Sequence, residues 1–193
     1  MRTEYNSSAK TYDNGTQDVP IAVDANGNIK TVGAAGESHV GQVGSPVVNV
    51  QVTPTLDTLI YASGDVLFAT TAMTGALRVS GGKAVLQSVS ITDKDDQKPA
   101  MNLVFFRSNV ALGTINAAPN ISDADSLQVV GIVPIVAGDY YDLGGASVAT
   151  VRNIGLVVDA TTGTTLYVAA FLSAGTPTHT AAGIQLNFGL LQA

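Results

Sequence analysis

The sequence contains no cysteine and no tryptophan. Without thiols it has neither disulfides nor thiolate metal sites, so its stability has to come from packing or assembly. Charge is also scarce, at 12% of residues, where soluble domains carry roughly 25%. The formal net charge is −6, and the cations that do occur, such as Arg78, Lys83, Arg107 and Arg152, are scattered singly. That distribution excludes general phosphate-backbone binding, so no nucleic-acid partner is expected. Long apolar runs are missing too. The stretch Val129 to Ala137 is broken by Gly131 and Pro134 and falls far short of the about 20 residues of a membrane span, so no membrane partner is expected. The amino-terminal MRTEYNSSAKTYDNG has no apolar signal core, and secretory targeting is not expected. No stretch carries the period of a long helix.

What the sequence has instead is alternation. From Ala84 to Ser108, two strand-like runs flank one charged turn, KDDQKP. In the first run Val85, Val89 and Ile91 fall on one face and Ser88, Ser90 and Thr92 on the other. In the second, Met101, Leu103 and Phe105 oppose Asn102, Val104 and Phe106. A period of two marks a pleated strand with at least one buried face. Pro99 belongs outside a central strand, so the pair is a hairpin or a corner between two sheets.

Weaker copies of this unit fill the rest of residues 46–193. VVNVQVT (47–53) alternates, Gly64-Asp65 turns the chain before Val66 to Ala69, and Gly81-Gly82 precedes Ala84. Five apolar residues crowd 129–135, as in a strand buried on both faces. Asp123 is placed to cap a single helical turn through Leu127. Further on, Ile154, Leu156 and Val158 share a face, Leu166, Val168, Ala170 and Leu172 oppose Tyr167, Ala169 and Phe171, and Ile184, Leu186, Phe188 and Leu190 align. About eight short strands with some long connections predict an all-β, jelly-roll-like antiparallel β-sandwich. An immunoglobulin-like fold is disfavoured because its Cys–Trp–Cys hallmark is absent. Residues 1–45 are polar and glycine-rich and have too few apolar side chains for a core of their own. They are expected to form an extended arm with a small hairpin about Asn26-Gly27, between Ile21–Val23 and Ile29–Val32.

No constellation of catalytic, cofactor-binding or metal-ligating residues emerges. In the acidic turn Asp93-Lys94-Asp95-Asp96, the sixth and twelfth places of a calcium loop are Lys98 and Val104, so the EF-hand pattern fails. It fails again from Asp24, where those places hold Ile29 and Ala35. His39 and His179 lie far apart in Gly/Thr-rich loops with no other ligand types clustered around either, whereas zinc takes three or four ligands. Asp123 and Asp125 suit a loop and helix cap. Ser80-Gly81-Gly82-Lys83 lacks the spacing of a phosphate loop, with Leu77 and Ala84 in the diagnostic places. No Gly-x-Ser-x-Gly elbow or Ser-x-x-Lys pattern occurs, so the chain is not expected to be an enzyme. Tyr140-Tyr141, beside Asp139 and Asp142, is the cluster best suited to sugar hydroxyls, though core and loop packing is the commoner use of such aromatics.

The segments VTPTLDTLIYASGDVLFAT (52–70), GGKAVLQSVSITDKDDQKPAMNLVFFRSNVALGT (81–114) and VATVRNIGLVVDATTGTTLYVAAF (148–171) resemble a family of tailed-bacteriophage structural proteins, the capsid decoration or cement proteins. The polar leader with VPIAVDANGNIKTVG is similar to the amino-terminal arms of virion proteins. The resemblance implies a non-enzymatic protein, made in the host cytoplasm, that binds the outer surface of the phage head and stabilises the shell. Its implied partners are the major capsid protein and copies of itself, a homotrimer being the natural oligomer at three-fold positions. The alternative it leaves open is a tail or fibre-associated module that binds host-surface glycan through Tyr140, Tyr141 and neighbouring loops.

Overall fold

Alternating apolar residues make two-sided strands, and two such sheets bury their apolar faces against each other. The computed structural model describes residues 10–13, 18–21 and 46–193. The chain divides into two units, Met1–Gly44 and Ser45–Ala193. In the first, β1 (Lys10–Asp13) pairs antiparallel with β2 (Asp18–Ile21), with Lys10 opposite Ile21 and Asp13 opposite Asp18. This ladder flanks Asn14-Gly15. The hairpin expected about Asn26-Gly27 lies outside the described residues, as does His39.

The second unit holds β3 (Val47–Val52), β4 (Val66–Met73), β5 (Lys83–Asp93), β6 (Ala100–Phe106), β7 (Val129–Ile135), a short β8 (Tyr140–Asp142), β9 (Ser147–Asp159), β10 (Leu166–Ala174) and β11 (Ile184–Gln192). The sole α-helical turn among the described residues is α1, Asp123–Ser126. One sheet has the order β4-β10-β6-β7 and the other β3-β11-β5-β9-β8. Every pairing is antiparallel. With β8 set aside as an edge addition, successive strands cross from sheet to sheet, except at β6–β7, and the last strand returns between the first and third. This is the eight-stranded, double Greek-key order of a jelly roll, so the expected fold class is the observed one. The charged turn between β5 and β6 is a corner, because those strands belong to different sheets.

The inner faces meet in one core that includes Leu86, Val89, Ile91, Met101, Leu103, Ile135 and Leu186. Phe105 of β6 meets Phe188 of β11 edge to face, with ring centroids 5.6 Å apart, which ties one sheet to the other. Along β11 burial alternates at every residue, as the sequence predicts. A smaller core of Val66, Val104, Phe106, Leu112 and Ala169 covers the outer face of the four-stranded sheet. The loop after β6 makes that possible by folding back, with the Thr70 hydroxyl donating to the Val110 carbonyl at 2.5 Å.

Three expectations need correction. Val85 does not share a face with Val89 and Ile91. Gln87 is an extra residue against β11, where Leu86 pairs with Leu190 and Ser88 with Gly189. This bulge reverses the alternation, so Ala84 and Leu86 are the buried residues before it and Val89, Ile91 and Asp93 those after it. The partner strand accommodates the bulge at Gly189, where a Cβ would stand 2.5 Å from the Ser88 hydroxyl. Second, β7 is not buried on both faces. It is an edge strand with Ile132 and Pro134 exposed, the position where a proline without an N–H costs no ladder bond. Third, the cap of α1 is Ser122, not Asp123. The Ser122 hydroxyl accepts from the Asp125 N–H at 3.1 Å.

Candidate functional site

The corner between β5 and β6 is wound about a buried carboxylate. Asp93 closes β5 facing inward and is fully buried. Its Oδ1 accepts from the Asp95 N–H at 3.1 Å and its Oδ2 from the Lys98 N–H at 2.7 Å. Wrapping the turn this tightly takes left-handed backbone at Asp96 and Lys98, with φ of 53° and 51°. A charge taken out of water needs such hydrogen bonds.

The loop between β10 and β11 packs onto this corner. Asp95 Oδ2 accepts from the Thr180 N–H at 2.8 Å, and the Thr180 hydroxyl donates to Asp95 Oδ1 at 3.0 Å, across 85 residues of sequence. Lys94 adds two more bonds, from its N–H to the Gly183 carbonyl at 2.8 Å and from its Nζ to the Ala182 carbonyl at 3.0 Å. Gly183 has no room for a side chain, since a Cβ there would overlap the Asp95 carboxylate.

Between the two loops lies His179. Its side chain is wholly buried, and Nδ1 is 3.5 Å from Asp95 Oδ2 and 3.8 Å from Asp93 Oδ1. Those separations exceed a good hydrogen bond, and neither ring nitrogen has a hydrogen-bond partner among the described residues. The ring meets Tyr61 edge-on at 6.4 Å. One ligand atom from each of Asp93, Asp95 and His179 lies within 4.8 Å of the others. Ser147 sits opposite Asp93 in the β5–β9 ladder, and its hydroxyl is buried without a partner among the described residues. The acidic turn and His179, unconnected in the sequence, therefore share one place at an end of the sandwich. Only the pairing of β5 with β11 through the Asp93–Ile184 register brings them together, and no local motif signals it.

The other sequence candidates do not assemble. Tyr140 is buried, donates from its hydroxyl to the Pro99 carbonyl at 3.2 Å, and packs inside the corner. Burial pushes its phenol well above the ordinary range, helped by the charges of Asp93 and Asp139. Tyr141 alone is exposed, so the pair does not offer two aromatic faces to a sugar. Asp139 accepts from the Val136 N–H at 2.9 Å. Asp142 is held below the usual carboxylate range by the Gly144 N–H and by Lys98, whose Nζ is 2.9 Å away. Ser80 Oγ accepts from the Gly163 N–H at 2.9 Å, which makes the Ser80–Lys83 stretch a turn clasp. Beside the corner is an open cleft of about 290 Å³ lined in part by Gln97, Pro99, Thr176 and Pro177.

A second surface feature lies along the side where both sheets end. There, among the described residues, β7 is the edge strand of one sheet and β8 that of the other. Ile132, Val136, Tyr141 and Leu143 are all more than half exposed along it.

Comparison with family models finds no match, and comparison with curated proteins finds none either. Among solved structures, one from Desmodium yellow mottle tymovirus is similar over 90% of this chain and 93% of its own, with 15% sequence identity and a TM-score of 0.28. The jelly-roll assignment rests on the strand order itself.

Proposed function

We propose that this chain is a structural virion protein of the capsid-decoration type, which binds the outer surface of a phage head and stabilises the shell without catalysis. The observation that carries the proposal is the open side at β7 and β8, where Ile132, Val136, Tyr141 and Leu143 stand exposed on a body with few charges. Exposed apolar side chains beside unpaired strand edges suit burial against another protein surface. A rigid double-sheet body and a neutral surface are what a shell-binding protein needs, and the sequence resemblance to decoration proteins points the same way. In this proposal the major capsid protein is the partner, residues 1–45 are an arm lying on capsid or a neighbouring copy, and the copies associate as trimers at three-fold positions. Interfaces of roughly 1,600 Å², repeated over the shell, would add up to substantial stabilisation.

Electron microscopy of intact particles tests the location. Density for this jelly roll over the head exterior in many copies is the expected result, and a few copies confined to the tail tip would overturn the proposal. With purified protein and expanded heads, Ile132→Lys and Tyr141→Asp should each weaken binding by about tenfold, the effect of losing an interface anchor. Their melting temperatures should stay at the wild-type value, since both side chains are exposed. Binding unchanged in both variants would remove the β7–β8 side from the interface.

A further inference from the structure

We propose that Asp93, Asp95 and His179 form a binding site for one divalent transition-metal ion, zinc being the best fit, which pins the β10–β11 loop to the β5–β6 corner. The case starts from His179. A buried imidazole with both nitrogens unsatisfied is costly, and native proteins seldom leave one so. Its Nδ1 faces two carboxylate oxygens at 3.5 and 3.8 Å. Those distances are too long for strong hydrogen bonds but close to the about 3.4 Å that separates two ligand atoms held tetrahedrally at zinc bond lengths. The carboxylates are already aimed by their neighbours, Asp93 by the Asp95 and Lys98 amides and Asp95 by Thr180. Outer hydrogen bonds of this kind hold ligands in place.

Ligand type sets the metal class. Imidazole nitrogen with two carboxylates suits zinc and its transition-metal neighbours, whereas calcium and magnesium prefer all-oxygen sets. Three protein ligands leave a fourth position, and Asp95, the least buried of the three, is on the solvent side. Among the described residues, no acceptor orients His179 Nε2. The affinity should therefore lie about 10–100-fold below that of a site with a complete outer shell. The role is structural: the ion joins two loops that are distant in sequence, and its binding free energy adds to folding. The inference does not depend on the virion proposal.

The test uses tag-free full-length protein titrated with Zn²⁺ alone by calorimetry, and with Co²⁺ followed by its visible absorption, in buffer with excess Mg²⁺ to occupy exposed carboxylates. The expected result is saturable binding of one ion per chain. Melting temperature should rise by about 5–10 °C when free Zn²⁺ is 100-fold above Kd. Asp95→Asn keeps the size and the acceptor for Thr180, and His179→Gln removes the nitrogen ligand; each should weaken binding at least about 100-fold by loss of a direct ligand. His39→Ala, which alters the one other histidine, should bind like wild type. If His179→Gln fails to fold, Asp95→Asn still decides the question. Absence of saturable uptake by the wild-type protein overturns the proposal, and so does wild-type affinity in Asp95→Asn.

Discussion

Single side chains pin the long connections of this sandwich, and Tyr61 shows how. Its ring is buried in the core while its hydroxyl ties the interior of the 53–65 loop to β4. The oxygen accepts from the Asp57 N–H at 2.6 Å, and the O–H donates to the Leu67 carbonyl at 3.0 Å. Asp57 is fixed in turn, its Oδ1 accepting from the Leu59 N–H at 3.0 Å and its Oδ2 from the Asn116 amide at 3.2 Å. These two donors hold the Asp57 carboxyl below its usual range. Tyr61→Phe keeps the ring and its packing but strands one buried carbonyl and one half-buried amide. The expected loss is about 1–3 kcal/mol, the cost of leaving buried polar groups unmade. Urea unfolding measures it: the midpoint should fall with an unchanged slope. A midpoint within error of wild type would mean that water reaches both groups.

At the scale of strands, the bulge at Gln87 has the clearest consequence. It places Leu86 in the core, fully buried, and turns Val85 outward. Leu86→Ala should therefore cost about 2–5 kcal/mol, while Val85→Thr should change stability by no more than about 0.5 kcal/mol. Equal losses from the two, measured by thermal unfolding, would refute the assigned register. The sequence signals most strands, because Ile184, Leu186, Phe188 and Leu190 alternate without interruption and β11 buries them in that pattern. It does not signal the bulge. Val85, Leu86 and Val89 are all apolar, so either parity reads equally well until Gly189 is placed opposite Ser88. The 129–135 run misleads for a related reason. Apolar residues crowd a strand whether both of its faces are covered or only one, and only sheet order shows β7 to be an edge. The Asp93–Asp95–His179 cluster was illegible for the plainest reason. Its members come from the end of β5 and from two loops, joined through a register that spacing along the chain does not encode.

For the molecule as a whole, the question is how much of it the jelly roll needs in order to stand. Among the described residues, the buried members of the main core run from Val50 to Leu190 and those of the smaller core from Val66 to Ala169. The sheet that holds β3 is closed at its end by the Gln192 N–H donating to the Pro46 carbonyl at 3.0 Å, so a cut before Ser45 leaves that bond intact. A fragment of residues 45–193 should then fold alone, with a cooperative transition and a melting temperature within about 4 °C of the full chain, the shift that about 1 kcal/mol produces in a domain of this size. The same fragment separates the two parts of the proposed function. If the apolar side at β7 and β8 carries the contact and residues 1–45 add a second attachment, the fragment should bind expanded heads, but more weakly than the full chain. Equal binding would strip the amino-terminal residues of their role as an arm. A fragment that fails to fold would show that the jelly roll depends on them for stability, and the division at residue 45 would have to be abandoned.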